Sequence, residues 1–137
     1  MSQELIPVSC HKIMQSNSYT LFLLDGETKK FAIYTDPQVG EEIEDFLSEE
    51  GTSRPKSHDL INSILKGLDA DILQVIIHDV QDTIYFAKLF LEHKLKSRRT
   101  FLEIDARPSD CLTLAITNNI PIYCTKELLD KAIGVEN

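Results

Sequence analysis

The sequence predicts an α+β domain with two βββα-type halves, in the order βββαα then βββαβα, around a mixed, largely antiparallel sheet. Strand-like runs arrive in threes instead of alternating with helices, which disfavours a doubly wound parallel sheet. Two blocks, Tyr19 to Leu47 and Thr83 to Thr117, share one plan: a hairpin, a third strand, then a helix opened by proline. A length of 137 residues, 42% apolar and 26% charged, suits one hydrophobic core, so residues 1–137 are expected to form a single domain.

Leu5 to Ile13 and Tyr19 to Leu24 read as strands joined by the polar turn Gln15 to Ser18. Asp25-Gly26 turns the chain into a third strand, Lys30 to Thr35. Asp36 then stands as a helix cap before Pro37, and Val39, Ile43, Phe46 and Leu47 recur on one helical face. The acidic residues between them, from Glu41 to Glu50, suit a solvated surface. Gly51 to Lys56 is a loop, and Ser57 is expected to cap a second helix carrying Leu60, Ile61, Ile64, Leu65 and Leu68. Ile72 to Ile77 reads as a buried strand, His78 to Asp82 as a turn, and Thr83 to Leu91 as the returning strand. Thr100 to Asp105 follows a basic tip and puts Phe101, Glu103 and Asp105 on one face. Arg107-Pro108 opens a helix that Asn118-Asn119 stops, since asparagine tolerates the left-handed region. A short strand, Ile120 to Cys124, and a helix, Lys126 to Ile133, complete the order.

Charge and motifs narrow the function. A net charge of −8 works against indiscriminate polyanion binding. The dense basic stretch, Lys94, Lys96, Arg98 and Arg99, suits a solvated hairpin tip or a local phosphate contact. Cys10, Cys111 and Cys124 have no close pairing, which argues against a disulfide framework and a thiolate zinc site. They read as reduced structural thiols, with a reactive Cys111 in a helix's first turn as the sharper alternative. No apolar run is long enough to span a bilayer, and Met1 to Glu4 lacks a basic leader, so a cytoplasmic protein is expected. A phosphate-cradling glycine loop, an H-E-x-x-H helix and a nucleophile triad are all missing. Rows of apolar strand residues in both halves predict a homo-oligomer.

Three acidic clusters stand out. Asp105 leaves a strand while Ser109 and Asp110 enter the first turn of a helix, a junction where carboxylates and free N–H groups converge. Arg107, three positions before Asp110, is close enough for a charge-assisted pair, which would also serve simply to fix the corner. Asp79 and Asp82, with the His78 imidazole in the same turn, offer the oxygen ligands that hard divalent cations prefer, or else serve their own turn. His58-Asp59 opens the second helix, where capping competes with ligand binding.

Taken in order, Arg54-Pro55-x-x-His58-Asp59-Leu60, Asp82-Thr83-x-Tyr85-x-Ala87, Asp105-Ala106-Arg107-Pro108-Ser109-Asp110 and Pro121-Ile122-Tyr123 resemble the bifunctional nuclease family, also called DUF151. The resemblance runs from about Leu5 to Gly134. It implies hydrolysis of phosphodiester bonds in DNA and RNA, with Mg²⁺ or Mn²⁺ as the expected cofactor. On that reading Asp82, Asp105 and Asp110 are metal ligands, and His58 is an acid, base or orienting group. Asp105, Asp110, His58 and Arg107 form the catalytic set, and Arg54, Arg107 and Ser109 hold phosphate. In the first helix the family usually carries Glu-Ala where this chain has Val39-Gly40, and Cys111 replaces the usual alanine. The alternative is therefore a catalytically weak or inactive oligomeric scaffold of the same fold, with Arg107, Asp110 and the His58-Asp59 corner as a buried polar network.

Overall fold

The computed structural model describes residues 4–48 and 54–136. Glu49, Glu50 and the first part of the Gly51 to Lys56 loop lie outside them. The described residues form β1 (Leu5–Gln15), β2 (Thr20–Asp25), β3 (Lys30–Thr35), α1 (Pro37–Leu47) and α2 (Ser57–Gly67). There follow β4 (Ala70–Gln81), β5 (Ile84–Leu95), β6 (Arg98–Ala106), α3 (Pro108–Asn118), β7 (Ile122–Thr125) and α4 (Lys126–Lys131). The order of elements and the α+β class are those read from the sequence.

The strands make one seven-stranded sheet in the order β3-β2-β1-β7-β4-β5-β6. Among these neighbours only β4 and β7 run parallel. Strand β1 joins the two halves: Leu5 to Val8 pair with β7, and Ser9 to Gln15 pair with β2 around a bulge between Cys10 and Lys12. A bulge bends a strand and increases its twist. The sheet accordingly curls back on itself, and Phe31 of β3 stacks on Tyr85 of β5 with ring centroids 5.7 Å apart, although four strands separate them in the order. Phe22, Leu24, Phe31, Ile43, Val75, Ile77, Leu112, Leu114 and Leu128 are almost wholly buried in the resulting core. Each such side chain contributes about 1.5–3 kcal/mol relative to leaving it in water. Helix α1 packs against α3, and α4 packs against β4 and β7. No helix of the described residues is long and apolar enough to cross a membrane.

The structure corrects two local expectations. His78 to Gln81 belong to β4, and the turn is confined to Asp82 and Thr83, with Asp82 at φ 57°. A ladder irregularity between Ile77 and Asp79 lets this polar stretch remain in the strand. The second helix takes Lys56, not Ser57, as its cap residue, and the Asp59 carboxylate accepts the Lys56 N–H at 2.8 Å. The apolar residues of α2 are only partly used: Leu65 is half-buried, while Leu60, Ile61, Ile64 and Leu68 stay exposed.

Candidate functional site

Each of the two similar blocks ends in an extended residue before a proline. A residue preceding proline is pushed out of the helical region. Asp36 (φ −61°, ψ 148°) and Arg107 (φ −67°, ψ 146°) consequently adopt nearly the same backbone conformation, and Pro37 and Pro108 start α1 and α3. Neither side chain caps its own helix. Both residues line one open cleft of about 890 Å³, formed where the end of β3, the start of β5 and the β6–α3 junction meet. Asp105, Ser109, Thr83 and Tyr85 line it as well.

Arg107 carries the cleft's cation, and its side chain is 72% exposed. Its Nε donates to Asp110 Oδ2 at 3.0 Å and its Nη2 donates to Asp110 Oδ1 at 3.2 Å. The fork fixes the guanidinium and raises its pKa above the ordinary value, through those bonds first and then through the charges of Asp110 and Asp36. A guanidinium has five N–H groups, so this pairing leaves donors for an anion. Beside it, the first turn of α3 presents N–H groups that lack intrahelical acceptors, a favourable place for phosphate. Asp105 sits exposed at the end of β6, opposite Lys88 in the ladder, while the Lys88 ammonium pairs with Glu103 at 2.6 Å. Behind the cleft wall, Cys111 is fully buried. Its thiol is pushed up to about 12, by burial first and then by Asp110 and Asp105. A thiolate is disfavoured there, so the structural reading of Cys111 stands.

The structure thus gathers Asp105, Arg107 and Ser109 in one cleft, with Asp110 holding Arg107. The other proposed site residues lie elsewhere. His58 is buried in the first turn of α2, its Nε2 3.6 Å from Asp59 Oδ1, and is not part of the cleft lining. Arg54 is exposed ahead of α2 and Asp82 forms the β4–β5 turn; neither lines the cleft, although Thr83 does. Asp79 is used in the fold: Lys131 bonds it at 2.5 Å and, as the leading cause, lowers its pKa.

Among the described residues no group of three or more His, Cys, Asp or Glu side chains is arranged to hold a metal ion. The trio Asp82, Asp105 and Asp110 is not assembled, because Arg107 occupies both Asp110 oxygens and Asp82 serves its turn. The carboxylates lining the cleft are Asp36 and Asp105, so a cation there would need a substrate's own oxygens as further ligands. The polar network of the scaffold alternative is likewise not buried as expected, since Arg107 is open to solvent. Asp36 and Tyr85 are cleft residues that motif reading had not assigned to the site. The repeated strand–Pro–helix plan was the available signal for Asp36, which stands where Arg107 stands in the second block.

Comparison with known proteins places the chain in a family. Two uncharacterized proteins of Mycobacterium tuberculosis, MT1877 of strain CDC 1551 / Oshkosh and Rv1829 of strain H37Rv, are each 32% identical over 79 residues. The match covers 58% of this chain and 44% of each relative, so it spans less than half of their length. Residues 21–136, which include both proline-opened helices and every cleft residue named above, match the model of the bifunctional nuclease domain, and the chain belongs to that family.

Proposed function

We propose that the cleft binds and hydrolyses phosphodiester bonds of DNA and RNA. The observation that carries this reading is a forked Arg107–Asp110 pair standing open beside Asp105 and the first turn of α3. Arg107 has the donors to take a non-bridging phosphate oxygen and to neutralise the charge that grows on it during attack. Ser109 and its neighbouring N–H groups would fix the phosphate's position. Asp105 would accept a proton from the attacking water or hold a Mg²⁺ or Mn²⁺ ion. Such an ion would supply charge neutralisation and a more acidic water. Asp110 is a positioning residue, since its carboxylate acts through Arg107. The reading places the protein in the cytoplasm, with its thiols reduced, and includes self-association.

Single-stranded DNA and RNA incubated with the purified full chain and Mn²⁺ or Mg²⁺ should be cut, and a chelator should stop the reaction. Asp105→Asn should remove most of the activity with the melting temperature little changed. Absence of cleavage by wild type with either metal, or cleavage by Asp105→Asn at the wild-type rate, would sink the reading. A second reading, a catalytically weak interaction domain, has one observation behind it: Val39, where relatives usually carry Glu, packs against the core as an ordinary apolar residue. That reading expects substrate to bind without being cut.

A further inference from the structure

The two edges of the sheet are built differently. At one, β3 has six residues, and a later segment bonds its start: the Val135 N–H donates to the Lys30 carbonyl at 2.9 Å. At the other, β6 runs for nine residues with an unbroken ladder to β5 and no proline. Every residue from Arg98 to Asp105 is exposed, including Phe101 at 64%, Leu102 at 44% and Ile104 at 41%. A long, regular, apolar edge is a template for another strand, and proteins normally blunt it.

We infer that β6 pairs antiparallel with β6 of a second copy of this chain, and that the partner completes the cleft with basic residues. The charge order selects this occupant. The strand begins with Arg98 and Arg99 and ends with Glu103 and Asp105. In a parallel arrangement each charge would meet its own kind. Antiparallel overlap of the full strand turns about Leu102 and sets Arg99 against the partner's Asp105, and the reverse, with Thr100 against the partner's Ile104. Directly opposed residues lie roughly 4.5–5.5 Å apart, within reach of an ion pair. Arg99 already bonds buried Glu92, which Lys94 approaches at 3.7 Å, so the arginine is held at the strand's start. Asp105 lines the cleft. The pairing therefore brings the partner's Arg99 to the mouth of each cleft and gives an acidic protein a local cation there. That last step rests on the cleavage reading; the pairing does not.

Sedimentation of the full chain, without metal or nucleic acid, tests the pairing alone. Wild type should be a dimer at micromolar concentration. Arg99→Glu and Asp105→Arg should each weaken it by at least roughly tenfold, since like charges then oppose at both ends. An equimolar mixture of the two variants should dimerise again, because both ends of the mixed pair oppose unlike charges. Leu102→Arg puts two cations at the axis without touching Glu92, and should also give a monomer if Arg99→Glu fails to fold. A monomeric wild type, a dimer that survives these substitutions, or a mixture that stays monomeric overturns the inference. A dimer that behaves as described but cuts nothing leaves the pairing standing and removes only the cleavage reading.

Discussion

Asp36 and Arg107 occupy the same place in two similarly built blocks, each the extended residue between a hairpin's second strand and a proline-opened helix. The blocks treat that place differently. In the first, the third residue after the proline step is Gly40, where an added Cβ would lie 2.9 Å from Thr20 Oγ1. Thr20 is fully buried, donates to the Pro37 carbonyl at 3.0 Å and accepts the Gly40 N–H at 3.0 Å, so the start of α1 is tied to β2. In the second block the matching position is buried Cys111, and the polar bonds run outward instead, from Arg107 to Asp110. One backbone plan thus yields an internally tied corner and a corner whose cation faces solvent. A local conformation sets where a charge is presented, and its partners decide whether that charge is free to meet a ligand.

The sharpest way to break this comparison is to remove the two charges separately. Arg107→Ala should slow phosphodiester cleavage about 10²–10³-fold, as expected for losing one preorganised donor group at a developing charge. Its melting temperature should barely move, because the ion pair is exposed. Arg107→Lys should recover only part of the rate, since an ammonium cannot reproduce the fork. Asp36→Asn should do the reverse, tightening oligonucleotide binding roughly two- to fivefold by removing an opposing carboxylate. Equal losses from Arg107→Ala and Asp36→Asn in a cleavage assay would show that the corners do not differ in this way.

Gly40→Ala should destabilise by about 1–3 kcal/mol, because Thr20 is held from both sides and cannot give way. Alanine's better helix propensity returns at most about 1 kcal/mol of that. Cys111→Ala, at the matching position, leaves only a small void and should cost about 1 kcal/mol. Urea unfolding of both variants checks the order. Lys29 donates to the carbonyls of Leu129 at 2.7 Å and Ala132 at 2.8 Å, closing the end of α4. Lys29→Met should cost about 1.5–3 kcal/mol, the range for bonds from a charged donor, measured by the same unfolding.

The smallest effect concerns alkaline pH. The Cys111 thiol ionises in the unfolded chain near 9.0 and in the folded one only at about 12. Above pH 9 the unfolded state therefore holds fewer protons than the folded state, and stability falls as pH rises through that window. At pH 10 the loss from Cys111 should be about 1 kcal/mol; Cys124, pushed up to about 11 by burial, adds in the same window, so Cys111→Ala should lessen that slope without abolishing it. An unchanged slope in the variant would remove Cys111 as the cause.

Most of the architecture was legible because it depends on short-range pattern. Pro37 and Pro108 marked the helix starts, Asn119 with φ 56° ended α3, and the apolar periods gave the strands. The stretch from His78 to Gln81 reads as a turn because His78, Asp79 and Gln81 are polar, whereas a bulged ladder accepts them in the strand. The α2 pattern showed an apolar stripe but not what lies over it, and Leu60, Ile64 and Leu68 prove exposed. The cleft was half-visible. Asp105, Arg107, Ser109 and Asp110 are neighbours in sequence, so their association needed only a strand and a helix. Asp36 and Tyr85 join them through the curl of the sheet at β1, a bend that no local pattern encodes. The same distance problem applies to His58 and Asp82, which do not line the cleft with Asp105.

The Val135–Lys30 hydrogen bond has a consequence for assembly size. A sheet with two open rims can grow without limit, each added molecule offering a fresh place for the next. With the start of β3 already bonded by its own chain, the proposed two-fold contact through β6 would use the same rim of both molecules at once. On that proposal the Val135 bond at Lys30 makes strand addition at β3 less open, which favours a pair over a ribbon.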